Sequence, residues 1–150
     1  MGFEITRVRT AAGLRACARC MAASDPWLRL GRGYAACLKS LAAPREVYAA
    51  RLDGAFAGCI AVQPYGVLNC YVQTVCAAPE FRGRGVGTAL LAFVEKRFFA
   101  KGPNIFICVS SFNKGAQRLY RRLGYERAGT LKDFIVKGSD EYLLRKTRRQ

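Results

Sequence analysis

Residues 68–87 read LNCYVQTVCAAPEFRGRGVG. A β-type apolar run (Val72, Val75, Cys76, Ala77) stops at the Pro79-Glu80-Phe81 turn, and a loop of alternating arginine and glycine follows. Beyond it Leu90, Leu91, Phe93 and Val94 recur at helical spacing. Strand, glycine–arginine loop and helix together lay out an anion site. Glycine has no Cβ, so backbone can approach a bulky anion closely. The unpaired N–H groups at a helix N-terminus point at that anion, aided by the helix dipole. The expected ligand carries phosphate.

Two common phosphate loops are excluded. A Walker loop needs Lys and then Ser or Thr after its last glycine, whereas Gly87 is followed by Thr88 and Ala89. The dinucleotide fingerprint does not match the spacing of Gly83, Gly85 and Gly87. It also calls for an acidic residue about 20 positions on, where Lys101 and Gly102 stand. The pattern that fits is Arg82-x-x-Gly85-x-Gly87.

A second motif lies downstream. After the strand-like run 105–109 comes Asn113-x-x-Ala116-x-x-Leu119-Tyr120-x-x-x-Gly124-Tyr125, with Ala116, Leu119, Tyr120 and Leu123 on one helical face. Gly124 suits the position just past a helix C-terminus. In order and spacing the two motifs resemble the signatures of the GNAT superfamily of N-acetyltransferases. The resemblance is sharp over residues 67–125, whose second half is most similar to the ribosomal-protein N-terminal alanine acetyltransferases.

The resemblance implies an α/β (α+β) fold: a mixed, mostly antiparallel twisted sheet of about seven strands flanked by about four helices. The pattern of the chain agrees. Residues 3–9 alternate as a first strand, and Thr10 can cap the helix that follows. Pro26 suits the first turn of a second helix carrying Trp27, Leu30, Tyr34, Cys37 and Leu38, which Pro44 ends. Residues 46–51 and 56–62 flank Asp53-Gly54, a hairpin signal. After the second motif, residues 125–136 and 141–145 supply two last strands around Gly138-Ser139-Asp140.

Length and composition fit one domain over residues 1–150: 51% of the chain is hydrophobic, enough for a real core. Residues 1–9 lack a signal-peptide core, and the apolar region 55–78 is interrupted by Gln63, Pro64, Asn69 and Gln73. A cytoplasmic enzyme with no membrane association is expected. Seven cysteines accompany no histidine. Cys17-x-x-Cys20 has neither a second pair nor a histidine to complete a zinc site, so it reads as two buried helical thiols. No metal is expected.

The net charge of +15, from 25 basic and 10 acidic residues, favours polyanions. Coenzyme A is one. RNA or ribosomes are others, but no aromatic-interleaved basic stripe suited to stacking bases is present. Nucleic acid is therefore the less favoured partner, left open by the charge, as is a homodimer.

The resemblance assigns roles residue by residue. The strand backbone at Val75, Cys76 and Ala77 takes the pantetheine arm of acetyl-coenzyme A. Arg82, Gly83, Arg84, Gly85, Val86 and Gly87, with Thr88, take its pyrophosphate, and Asn113 hydrogen-bonds the coenzyme. Tyr120 protonates the departing sulfur after direct attack by a primary amine of a small molecule or protein. A phenol near pKa ~10 protonating a thiolate near ~8.5 is uphill by only about 2 kcal/mol. The base is where the sequence departs from its relatives. The ribosomal-protein enzymes carry a glutamate at the position of Cys108, and histone-type relatives carry one at the position of Tyr71. Glu80, Asp133, Asp140, Glu141 and Asp25 are the other carboxylates within reach; they read as solvated loop or turn charges, and no base is assigned. Trp27 and Tyr34 are the acceptor-side candidates. The alternative function is a catalytically weak coenzyme A-binding or RNA- or ribosome-associated module of the same fold.

Overall fold

The structure is a computed structural model that describes residues 2–149. Seven strands form one sheet in the order β1-β2-β3-β4-β5-β7-β6. They are β1 (Glu4–Arg7), β2 (Glu46–Leu52), β3 (Ala55–Gln63), β4 (Tyr71–Ala77), β5 (Asn104–Ser110), β6 (Glu126–Leu131) and β7 (Glu141–Thr147). Four helices interrupt them: α1 (Ala11–Ala22), α2 (Tyr34–Ser40), α3 (Val86–Phe98) and α4 (Lys114–Arg122). The element order is the expected one.

Local chemistry fixes the ends of these elements. Thr10 accepts the Gly13 N–H at 3.0 Å and caps α1. Asp53 (φ 51°) and Gly54 (φ 80°) are both left-handed, the two-residue turn whose twist matches a β2–β3 hairpin. Gly124 (φ 97°) ends α4: its N–H bonds the Arg121 carbonyl and the Tyr125 N–H bonds the Tyr120 carbonyl, the paired bonds of a Schellman motif.

Each face of the sheet has its own core. Cys17, Ala18 and Met21 of α1 and Cys37 of α2 pack on Val47, Cys59, Ala61 and Cys76. On the opposite face Leu90, Leu91 and Val94 of α3 and Tyr120 of α4 pack on Ile60, Val62, Val72, Ile105 and Ile107. The Cys17–Cys20 pair is thus part of a buried thiol layer, with Cys20 Sγ 3.1 Å from Cys76 Sγ.

The sheet is nearly divided in two. β4 and β5 run parallel and pair only at Tyr71↔Phe106 and Val72↔Ile107. From Gln73 onward β4 keeps β3 on one side and has no strand on the other. The divergence begins at a β-bulge: Ala61 pairs with Thr74 and Val62 with Val72, so Gln73 is the extra residue. A bulge increases local twist, and this one coincides with the opening of the seam. Gln73 is held in place by donating to the Ser40 carbonyl at 3.0 Å and accepting from Arg45 Nε.

Two expected elements are shorter than their patterns. The second helix does not begin at Pro26. Residues 25–31 form successive turns, and Gly31 (φ 69°) and the extended Gly33 separate them from α2, which starts at Tyr34. The last-but-one strand stops at Leu131 rather than continuing to Val136. There Asp133 is left-handed (φ 50°) and its carboxylate accepts the Gly138 N–H at 2.6 Å, turning the chain away.

Gly58 of β3 leaves room for both β4 and α3. A Cβ there would meet the Cys76 carbonyl oxygen and, at 2.7 Å, the Val86 side chain. Gly58→Ala should therefore destabilise the protein by about 1–3 kcal/mol. A chemical-denaturation midpoint equal to that of the parent would contradict this packing.

Candidate active site

The loop after β4 has the expected form. Pro79–Phe81 is one turn of 3-10 helix, and Gly83 (φ 74°) and Gly85 (φ 85°) take left-handed backbone that other residues adopt only under strain. Nothing lies within 4 Å of a Cβ built on either glycine, so the space above the loop is open. Gly85 occupies the N-cap of α3 with no side-chain cap, which leaves the first N–H groups of the helix for a ligand. Val86 is instead buried beneath the helix, and Gly87 brings α3 against Leu119 of α4, where a Cβ would sit 3.2 Å from Cδ2. Arg82 donates to Ser24 Oγ at 2.8 Å, and Arg84 lies over the Phe81 ring. Thr88 is exposed on the first turn.

Two cavities adjoin the seam. The smaller, about 330 Å³, lies between the loop and the end of α1, lined by Val75, Cys76, Ala77, Arg82, Ser24 and Asn113. The larger, about 460 Å³, runs between the 25–31 turns, α2 and the last two strands. Trp27, Leu30, Leu131, Phe134 and Ile135 supply its apolar walls. Val75, Asn113 and Asp25 line both cavities, so the two meet there. Asn113 caps α4 by accepting the Ala116 N–H at 3.2 Å. Tyr120 lines the larger cavity from α4, its ring edge-on to Tyr125. Burial, and then the Cys76 thiol, push its phenol well above the usual range.

The structure gathers most of the sequence candidates here and leaves one outside. Trp27 lines the larger cavity; Tyr34, at the start of α2, is exposed and does not. The separation follows from the break at Gly31, which removes the two from a common helical face.

The carboxylates also separate. Glu80 and Asp133 are exposed, as the sequence suggests. Glu141 is not a solvated turn charge: it is only 5% exposed, opens β7 opposite Ser110 of β5, and lines the larger cavity. Its Oε2 and Ser110 Oγ are both buried without a hydrogen-bond partner among the described residues. Burial pushes its carboxyl above the usual range; the neighbouring Ser110 hydroxyl opposes that rise although the two do not meet in good hydrogen-bond geometry. Tyr71 and Cys108, the positions at which the resemblance calls for a glutamate, line the same cavity. Burial raises the Cys108 thiol, and Glu141 adds to that rise while Tyr71 opposes it.

No group of three His, Cys, Asp or Glu side chains suited to a metal ion occurs among the described residues. No helix among them is long and apolar enough to cross a membrane.

The mixed sheet thus opens between two parallel strands beside a glycine-rich helix N-terminus. Residues 15–125 match the model of the Acetyltransferase (GNAT) family, and the chain belongs to that family. It is 32% identical over 127 residues to N-alpha-acetyltransferase RimI of Mycobacterium tuberculosis, covering 81% of this chain and 76% of the relative. The fold is shared with ribosomal-protein-S18-alanine N-acetyltransferase from Escherichia coli (TM-score 0.79, 16% identity, 99% of this chain and 96% of that one). It is also shared with an aminoglycoside 6'-N-acetyltransferase complexed with coenzyme A (TM-score 0.77, 18% identity, 98% and 99% covered).

Proposed function

We propose that the protein transfers the acetyl group of acetyl-coenzyme A to the α-amine of a protein or peptide N-terminus. The observation that carries this reading is the meeting of the two cavities at Val75 and Asn113, with Tyr120 lining the larger. In it the β4 backbone at Val75, Cys76 and Ala77 pairs with the pantetheine arm across the open seam. Its N–H groups also face the oxyanion that develops on the thioester carbonyl. Arg82, Gly83, Arg84 and Gly85, with the first turn of α3 through Thr88, hold the pyrophosphate. Asn113 contacts the coenzyme, and Tyr120 donates its proton to the leaving sulfur.

The lining of the larger cavity supports this acceptor. Its walls are largely apolar, and its charged side chains are Asp25, Glu141 and Arg32. Two carboxylates offset by a guanidinium suit a single ammonium group with an uncharged neighbour. A polyamine or aminoglycoside would bring several positive charges to a protein already at +15. The relative in M. tuberculosis is named for an N-alpha activity, which supports a terminal amine.

The test is calorimetric titration with acetyl-coenzyme A, followed by thiol release with peptides bearing a free or a blocked α-amine. The expected result is binding together with release that needs the free amine. The rival reading, a coenzyme A-binding or RNA- or ribosome-associated module, predicts binding without acceptor-dependent release. Absence of binding would overturn both.

A further inference from the structure

Tyr71 of β4 and Cys108 of β5 bring no carboxylate to the larger cavity, yet a buried carboxylate, Glu141, stands in it. Cys108 and Ser110 are two apart on β5 and share a face; across the ladder they pair with Leu143 and Glu141 of β7. Glu141 therefore lies one strand over and one same-face step along from Cys108. We propose that Glu141 is the general base of the reaction and the anchor of the acceptor ammonium, its carboxylate supplied from β7 instead of β5. This assignment rests on the acetyltransferase reading above.

Three observations support it. Glu141 is almost wholly buried and Oε2 has no partner, an arrangement that costs stability unless a ligand supplies the missing donor. An ammonium is such a donor, with three N–H groups and a positive charge. Next, the charges facing Glu141 do not already satisfy it. Besides Glu141, the titratable side chains around the cavity are Asp25 and Arg32 from the α1–α2 connection, Cys37 from α2, Tyr71 from β4, Cys108 from β5 and Tyr120 from α4, and the Ser110 hydroxyl stands opposite Glu141 on β5. Glu141 has no ion pair with Arg32 or any other cation among the described residues. Finally, Glu141 and Tyr120 line one cavity, which places a proton acceptor and a proton donor on the same acceptor space.

The proton balance closes. Glu141 takes one proton from the ammonium, and the freed nitrogen lone pair forms the C–N bond to the thioester carbonyl. As the C–S bond breaks, Tyr120 gives its proton to sulfur. The surplus proton on nitrogen returns to the Tyr120 phenolate, and the proton on Glu141 leaves to solvent.

Glu141→Gln keeps the shape and removes the base. An α-amine with pKa about 8 is roughly one-tenth free at pH 7, so the variant should lose kcat/KM on the order of tenfold there and approach parity near pH 9. In the parent, activity rises with pH as the Glu141 carboxyl ionises; in the variant that rise moves up to the pKa of the amine itself. Coenzyme affinity should be unchanged. A loss independent of pH, or no loss, would overturn the assignment, since a structural role lowers activity at every pH. Should Glu141→Gln fail to fold, the pH profile of the parent decides: kcat/KM should rise through an acid limb lying below the pKa of the amine, and a profile that rises only as the amine itself ionises overturns the proposal. A parent protein that binds the coenzyme but releases thiol with no amine would overturn the acetyltransferase reading itself, and this assignment with it.

Discussion

Replacing Tyr120 with phenylalanine should lower turnover by about a hundred- to a thousandfold, within the range for a positioned proton donor, while acetyl-coenzyme A binds as before. The ring keeps its place on the buried face of α4 against Tyr125, so packing survives the change. The hydroxyl makes no hydrogen bond to any described residue, so its removal orphans no partner. What is lost is the proton. Because burial raises the phenol, it stays protonated throughout the working pH range. The same dry surroundings make a departing thiolate more basic, so donor and acceptor rise together. Pre-steady-state thiol release and calorimetry separate the two roles. A fall in coenzyme affinity equal to the fall in turnover would make Tyr120 a packing residue instead.

The second large effect is expected at Gly85. Aspartate there should weaken acetyl-coenzyme A binding by about a hundredfold or more with little cost to folding. Aspartate tolerates left-handed backbone better than most residues and is a favoured N-cap, and the space above Gly85 is open. The ligand would meet a like charge beside the first N–H groups of α3. At about 4 Å in a half-screened site that repulsion is on the order of 4 kcal/mol. Gly85→Ala is the control, since it adds the backbone strain without the charge and should lose far less. Calorimetry on both variants decides the point: equal and unaltered affinities would remove this loop from the phosphate site.

Much of this architecture could be read from the chain because its markers are local. Gly85 and Gly124 must be left-handed where they stand, Asn113 caps the helix it precedes, and Asp53-Gly54 closes its own hairpin. Such residues act on neighbours a few positions away, so spacing alone exposes them. Glu141 was illegible for the opposite reason. It follows Gly138-Ser139-Asp140, a polar run that reads as a solvated turn. Its burial is decided by a strand partner, Ser110, distant in sequence, and by the 25–31 turns that close the cavity. The same turns misled the reading of Tyr34. Helical periodicity runs from Trp27 to Leu38, but two glycines divide it, and only the three-dimensional path shows which side faces the cavity.

The seam between β4 and β5 gives the molecule a thermodynamic character of its own. Four strands lie on one side and three on the other, joined in the sheet by two residue pairs. On the proposed function a coenzyme would lie along the free edge of β4, where the missing stretch of β5 would be, and the substrate would serve as a structural member. Binding confined to the folded form adds about 2.7 kcal/mol at a hundred times Kd, and on that reading the gain would fall where the two halves are least tied. Amide hydrogens of β4 should then gain protection with coenzyme while those of the β2–β3 hairpin change little. A cell rich in acetyl-coenzyme A would hold a stiffer, longer-lived protein than a starved one, coupling the abundance of the enzyme to the supply of its donor.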